Sequence, residues 1–199
     1  MTQLKQTPSQ TVGPFFAYGL TPTQYGYDFK SLFTPVLAQA RAEGEHIRIT
    51  GLVLDGASSP VNDAIVEINQ PDAHGQIISS VEDAERKGFA GFGRCGTGTL
   101  AGNHFVFDTV KPGVLGAGQA PFIDVCVTMR GLLLHTFTRL YFSDEAAANA
   151  KDEVLNSVPA ERRATLVAKR EMTNAGPVYR FDIHMQDSAH GKETVFFDL

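Results

Sequence analysis

Residues 46–54 read His46-Ile47-Arg48-Ile49-Thr50-Gly51-Leu52-Val53-Leu54, and apolar and polar side chains alternate along them until Asp55-Gly56. Alternation with a period of two residues is typical of a β-strand with one buried face. The same pattern returns, between residues that favour turns, at 64–69, 104–110, 122–128, 133–142, 179–185 and 195–197. Short strands separated by turns predict an all-β fold of the antiparallel β-sandwich type.

Three segments depart from the strand pattern. Residues 143–150 begin with capping residues and continue with helix formers, and 159–163 has proline at the first helical position, so we predict a short helix in each. The glycine-rich segment 91–98 is not followed by a helical pattern, and a phosphate loop needs that helix N-terminus. We interpret this segment as a turn at the edge of the sheet.

The first thirty residues are rich in both proline and glycine, which excludes a regular helix or a central strand. They also carry several aromatic side chains whose apolar surface needs a neighbouring surface to cover it, namely Phe15, Phe16, Tyr18, Tyr25 and Tyr27. We therefore predict an N-terminal arm, residues 1–30, that packs on a partner chain. The remainder, residues 31–199, is predicted to form one sandwich domain.

The composition is that of a globular protein, since 43% of the 199 residues are hydrophobic and 20% are charged. A net charge of −5, with no basic run longer than Arg162-Arg163, argues against nucleic-acid binding, which depends on cations that neutralise phosphates. No segment resembles a secretory signal or a membrane span. Because Cys95 and Cys126 are the only cysteines, we expect free, mostly buried thiols in a cytoplasmic protein.

The sequence contains no local metal-binding pattern, because none of its six histidines forms a His-x-His or His-Glu-x-x-His motif. Arg130 attracts more interest, since it follows an apolar strand and directly precedes Gly131. A guanidinium in apolar surroundings is usually paired. Its partner would be either an acidic residue of this chain or the carboxylate of a ligand. The residues alone favour the ion pair.

The segment Thr7-Pro8-Ser9-Gln10-Thr11-Val12-Gly13-Pro14-Phe15 resembles the N-terminal signature of the intradiol ring-cleaving dioxygenases. Similar blocks follow along nearly the whole chain, at 44–47, 108–113, 138–146, 166–170, 179–183 and 193–198. The resemblance implies an enzyme of related alpha and beta chains that assembles into a higher-order oligomer of alpha–beta pairs. Such an enzyme would add both atoms of O2 to a 3,4-dihydroxylated benzoate and open the ring between its hydroxyls.

The resemblance also implies where the metal is bound. In this family two tyrosines and two histidines of the catalytic beta chain hold Fe(III), a ligand set suited to a hard cation. The matching positions of this chain are Ile77, Leu115, Phe122 and Asp124, and the first three side chains cannot coordinate a metal. The resemblance therefore implies an alpha-type chain without a metal site, whose Fe(III) is bound by the partner beta subunit.

Substrate-binding residues follow from the same resemblance. Arg130 matches an alpha-chain arginine associated with the substrate, and four residues of the arm match a segment that reaches the partner's active site: Thr11, Gly13, Pro14 and Phe15. An arginine at this place implies an aromatic carboxylate as the substrate. A sulfonated or otherwise substituted catechol stays an alternative, because the chain departs from the family's common residues at Phe15, Asn69 and Phe122.

Two functions of other classes remain open. The chain could be a non-catalytic β-sandwich that serves binding or assembly, which the lack of a coloured ferric complex with a beta chain would indicate. It could also be a metalloenzyme that acts alone through Asp182, His184, Asp187 and His190. The metal content of the chain purified by itself would distinguish this last possibility.

Overall fold

The computed structural model describes residues 10–187 and 192–198. These ranges contain nine β-strands: β1 His46–Leu54, β2 Ile65–Asn69, β3 Phe92–Gly96, β4 His104–Val110, β5 Phe122–Thr128, β6 Thr136–Phe142, β7 Val167–Thr173, β8 Gly176–Arg180 and β9 Ile183–His184. They also contain four short α-helices: α1 Phe16–Leu20, α2 Val81–Lys87, α3 Ala146–Asn149 and α4 Glu153–Ser157. Single 3-10 turns lie at Pro22–Tyr25, Ala101–Asn103 and Arg163–Leu166. No helix in the described ranges is long and apolar enough to cross a membrane.

The strands follow the order β3-β2-β5-β6-β7-β8-β1-β4, with β9 beside β1. Neighbours are antiparallel except at β6–β7, β1–β8 and β1–β9. Strand β7 joins two halves, since it pairs with β6 through two residue pairs and with β8 through five. Ile49 of β1 and Phe107 of β4 pack in the same buried cluster as Val66 of β2 and Val125 of β5. The two halves therefore face each other across one core, and the predicted all-β sandwich is confirmed.

The strand predictions agree best where alternation is strongest. The segments 46–54, 104–110 and 122–128 coincide with β1, β4 and β5. The prediction for 133–142 is shortened to β6, and the one for 179–185 covers the end of β8 and all of β9. Within 195–197 only Phe197 forms a bridge, which pairs it with Phe137.

Three local predictions are wrong. The segment 91–98 contains β3, an edge strand that pairs with β2 along its length. Its alternate residues Gly93 and Cys95 are buried, as in a strand with one face towards the core. The segment 159–163 is not an α-helix, since the capped helix α4 ends before it and a 3-10 turn follows. The N-terminal segment does contain a helix, α1, which begins at Phe16; Pro14 precedes its N-cap residue Phe15 and so removes none of the hydrogen bonds of the helix.

The inner part of the N-terminal segment packs on the chain's own sandwich. Ala17, Thr21 and Pro22 are buried. The side-chain amide of Gln24 accepts a hydrogen bond from the backbone N–H of Gly96 at 2.9 Å and donates one to its carbonyl at 3.4 Å. This part of the N-terminal segment is thus tied to β3. The domain boundary at residue 30 and the packing of the outer residues on a partner stay predictions.

A buried carboxylate fixes the region between β5, β6 and α4. Asp152 is fully buried, and its Oδ1 accepts hydrogen bonds from the backbone N–H of Leu155 at 2.8 Å and the hydroxyl of Tyr141 at 3.0 Å. Its Oδ2 accepts a hydrogen bond from the N–H of Ala120 at 2.9 Å. One side chain therefore caps α4 and also satisfies two buried donors from other parts of the sandwich.

Asp152→Ala is expected to lower the free energy of unfolding by about 3–5 kcal/mol, because it removes a helix cap and leaves buried donors without an acceptor. For a chain of this size the melting temperature should fall by roughly 6–20 °C, which calorimetry can measure. Ser80→Ala is the matched control, since Ser80 caps α2 through one exposed hydrogen bond to Asp83 and should cost only about 1 kcal/mol. A loss at Asp152 no larger than at Ser80 would contradict this account.

Candidate functional site

The outer arm meets the loop that follows β5. The hydroxyl of Thr11 donates a hydrogen bond to the carbonyl of Met129 at 3.2 Å. A groove of about 250 Å³ lies between the two segments and is lined by Gln10, Val12 and residues 128–129 and 132–135. Leu133 and Leu134 at the tip of the loop are largely exposed. The structure thus brings the predicted arm residue Thr11 into contact with the loop that carries Arg130, at the residue before it in the chain.

The side chain of Arg130 extends from this loop and forms an ion pair with Asp63 through one of its nitrogens. Its Nε lies 3.2 Å from Oδ2 of Asp63, and the side chain of Arg130 is 64% exposed whereas that of Asp63 is 5% exposed. The ion pair considered from the sequence is therefore present. It uses one end of the guanidinium, and two nitrogens remain for a second anion. No sequence pattern indicated Asp63, because an aspartate before a strand is typical of an ordinary turn.

The other predicted arm residues form an exposed aromatic edge. The backbone turns at Gly13 and Pro14, where the N–H of Phe16 donates to the carbonyl of Gly13 at 3.1 Å. The side chain of Phe15 is 80% exposed. Its ring contacts Tyr18 with 6.1 Å between centroids, and Tyr18 contacts Tyr25 at 4.9 Å. Phe15 therefore sits on the arm's own aromatic cluster.

Tyr25 connects this aromatic cluster to the turn that carries Asp63. The hydroxyl of Tyr25 and the carbonyl oxygen of Asn62 both lie close to Gly98, since a Cβ atom added there would be 2.7 Å from the hydroxyl and 2.5 Å from the carbonyl oxygen. The hydroxyl of Tyr25 is therefore near the turn that contains Asn62 and Asp63. Burial raises the pKa of Tyr25, and the charge of Asp63 adds to the effect. The arm, the Asp63 turn and the Arg130 loop thus form one continuous region of the surface.

The four positions that match metal ligands do not fit a metal ion. Ile77 and Leu115 are about half exposed and cannot coordinate. Phe122 and Asp124 share one face of β5, where Arg139 already contacts both: its guanidinium lies 4.0 Å from the Phe122 ring centroid and its Nε 3.1 Å from Oδ1 of Asp124. The carboxylate of Asp124 is therefore already paired with the guanidinium of Arg139 and is not available to a metal ion.

Neighbouring groups do not supply replacement ligands. A cavity of about 400 Å³ beside Asp124 is lined by Asn69, Phe92, Cys126, His135 and Phe137 among others. Burial raises the pKa of the Cys126 thiol to about 11, so it is protonated at neutral pH and a poor metal ligand. Across residues 10–187 and 192–198, no group of three or more His, Cys, Asp or Glu side chains could hold a metal.

The set proposed for a metalloenzyme acting alone is only partly described. Oδ1 of Asp182 accepts a hydrogen bond from the N–H of Leu52 at 3.0 Å, and Oδ2 accepts one from Nε of Arg180 at 3.1 Å. The adjoining cavity of about 370 Å³ is lined by His184, by two carboxylates, Glu161 and Asp182, and by three cations, Lys169, Arg180 and Lys192. His190 lies outside the described residues. The part that is described favours an anion over a metal cation.

Sequence similarity to known proteins shows the family of this chain independently of its structure. No family model matches the chain. It is 60% identical over 200 residues to the protocatechuate 3,4-dioxygenase alpha chain of Burkholderia cepacia, covering 100% of both chains. It is 42% identical over 204 residues to the corresponding alpha chain of Pseudomonas putida, covering 98% of each. The protocatechuate 3,4-dioxygenase beta chain of Burkholderia cepacia is 29% identical over 153 residues, which cover 70% of this chain and 64% of that one.

Solved structures support the fold. The dioxygenase domain of a carbohydrate-binding fusion protein from Streptomyces sp. SirexAA-E superimposes with a TM-score of 0.59 at 22% identity, over 80% of this chain and 93% of that one. The catechol 1,2-dioxygenase of Pseudomonas arvilla C-1 gives a TM-score of 0.53 at 13% identity, over 86% and 68%. At these identities the likeness concerns the fold alone, whereas the two alpha chains are 60% and 42% identical to this chain over all or nearly all of its length.

Proposed function

The chain belongs to the family of protocatechuate 3,4-dioxygenase alpha chains, and we propose that it acts as the alpha subunit of such an enzyme. The observation that carries this proposal is the full-length identity of 60% to an alpha chain, compared with 29% over part of a beta chain. The contact of Arg139 with Phe122 and Asp124 supports the same assignment, since it leaves no metal site at the matching positions.

The partner in this proposal is a related beta chain. The family is iron-dependent, and we assign its iron, together with the chemistry on O2, to that beta chain. Assembly of the alpha–beta pairs into a higher-order oligomer is part of the proposal. The arm and the loop after β5 support an interface there, because Phe15 of the arm and Leu133 and Leu134 of the loop present apolar surface that a partner would remove from water.

The residues of this chain would bind and orient the substrate. Arg130 offers a cation at the rim of the region formed by the arm and the 129–135 loop. A 3,4-dihydroxybenzoate that enters an apolar pocket loses water around its carboxylate, and a guanidinium can replace that water with two parallel hydrogen bonds. Thr11, Gly13, Pro14 and Phe15 would close the pocket of the partner and exclude solvent. Ring opening between the hydroxyls would then give a muconate with three carboxylates.

Oxygen uptake tests the proposal. The chain co-purified with a beta chain of the same family should consume O2 with 3,4-dihydroxybenzoate, whereas either chain alone should be inactive or nearly so. Turnover by the beta chain alone at the full rate would assign this chain to a purely assembling role. Turnover only with a sulfonated catechol would keep the family and change the substrate.

A further inference from the structure

Asp63 is an unusual carboxylate for a folded protein. Its side chain is 5% exposed, yet neither carboxylate oxygen accepts a hydrogen bond from any described residue. Its one ion pair within residues 10–187 and 192–198 joins it to Arg130 at 3.2 Å. A buried carboxylate without donors is costly, and such a group calls for a reason beyond folding.

Hydrogen bonds hold both sides of the turn that carries Asp63. The hydroxyl of Thr97, which is fully buried, donates to the carbonyl of Val61 at 2.7 Å and lies 3.2 Å from the N–H of Ala64, from which it accepts. The backbone N–H of Thr97 in turn donates to the carbonyl of Ala64 at 3.0 Å. Asp63 therefore lies between Val61 and Ala64, whose backbones are both hydrogen-bonded to Thr97, and its carboxylate is next to Nε of the exposed Arg130.

We propose that Asp63 is a positioning residue whose ion pair with Arg130 holds the Nε side of the guanidinium and leaves its terminal nitrogens for the carboxylate of the substrate. This inference rests on the proposed function, because it takes Arg130 as the cation that binds the aromatic acid. A free arginine side chain samples many rotamers, and binding an anion in one of them costs conformational entropy. A fixed Nε removes much of that freedom before the ligand arrives, which improves binding without any new contact to the ligand.

The negative charge of Asp63 also weakens the attraction of Arg130 for an anion, which opposes the benefit of positioning. The direction of the change in KM therefore distinguishes the two effects. If Asp63 served only as a nearby charge, its neutralisation would strengthen the attraction of Arg130 for an anion and lower KM. If it positions Arg130, neutralisation frees the guanidinium and raises KM. Asp63→Asn preserves the size of the side chain and removes the charge, so it separates the two effects.

The experiment uses the complex of the full chain with its beta chain and four variants: Asp63→Asn, Arg130→Ala, the double variant and the control Asp108→Asn. Asp108 pairs with Arg48 at 2.7 Å, away from the Asp63 turn. Asp63→Asn should raise KM for 3,4-dihydroxybenzoate about 3- to 10-fold, the usual effect of freeing one long side chain, with kcat unchanged. Catechol without a carboxylate and the Asp108 variant should show little change. In the Arg130→Ala background Asp63→Asn should have no further effect.

A second measurement does not depend on turnover. In the chain alone, the NMR order parameter of the Arg130 Nε–H bond should fall in Asp63→Asn and stay unchanged in Asp108→Asn. An unchanged or lowered KM in Asp63→Asn, additive effects in the double variant, or an unchanged order parameter overturns the inference. If Arg130→Ala weakens binding of the carboxylated substrate while Asp63→Asn does nothing, only the inference fails. If Arg130→Ala loses nothing, the proposed role of Arg130 fails as well. Melting temperatures of all variants identify any loss that comes from folding.

Discussion

Arg130→Ala should reduce kcat/KM for 3,4-dihydroxybenzoate by roughly 30-fold to several thousand-fold. The reason is that loss of one partner of a desolvated charge pair costs about 2–5 kcal/mol and each 1.4 kcal/mol corresponds to a factor of about ten. Arg130 is 64% exposed in this chain, so the full effect requires that the beta chain cover the site. Plain catechol, which has no carboxylate, should be affected much less.

The ion pair with Asp63 makes a second variant necessary. Arg130→Ala also leaves the buried carboxylate of Asp63 without its cation, and part of any loss could come from folding. Arg130→Lys keeps a positive charge near Asp63 and removes the planar fork, so it should fold normally and lose an intermediate amount of activity. Equal losses on both substrates, together with a lowered melting temperature, would reduce Arg130 to a structural ion pair.

Deletion of residues 1–16 should weaken association with the beta chain and abolish turnover. The deletion removes the hydrogen bond from Thr11 to Met129 and the exposed ring of Phe15, but leaves Thr21, Pro22 and Gln24 in place on the sandwich. The truncated chain should therefore stay folded, and circular dichroism with gel filtration can show this. The effect on association follows from the apolar area that the arm would bury on the partner.

The control for the arm is an exposed apolar side chain elsewhere. Met172 on β7 is 68% exposed, and Met172→Ala should change neither association nor turnover. A truncated chain that still forms a fully active complex would mean that the arm is not an interface element.

Alternation and turn residues allow much of the sandwich to be predicted from the sequence. β1, β4 and β5 bury every second side chain or nearly so, and this periodicity is visible in the residues themselves. β7 escaped prediction because Lys169 to Thr173 are all exposed and have no apolar face. β3 escaped because the segment 91–98 contains four glycines, which suggest turns until the pairing partner β2 is known.

The candidate site, too, contains residues that could be predicted from the sequence and residues that could not. Arg130 and Thr11 lie in segments that resemble a known family, and the structure brings their segments together. Asp63 is 67 positions away from Arg130 in the numbering and meets it only in the folded chain. Arg139 likewise reaches Asp124 and Phe122 because β6 lies antiparallel to β5 with Asp124 opposite Arg139. Pairings set by strand register are not visible in a local pattern of residues.

This chain has the sandwich of an intradiol dioxygenase, and we propose that it holds no metal at the positions that match the family's ligands and depends on a partner for iron. Elemental analysis of the chain alone and of its complex with a beta chain can decide this. We expect no stoichiometric iron in the isolated chain, because Ile77, Leu115 and Phe122 cannot coordinate and Arg139 is paired with Asp124. We expect a single iron per alpha–beta pair, with the visible absorption of a ferric phenolate centre. Near-stoichiometric iron in the chain purified alone, or two irons per pair, would contradict the proposal.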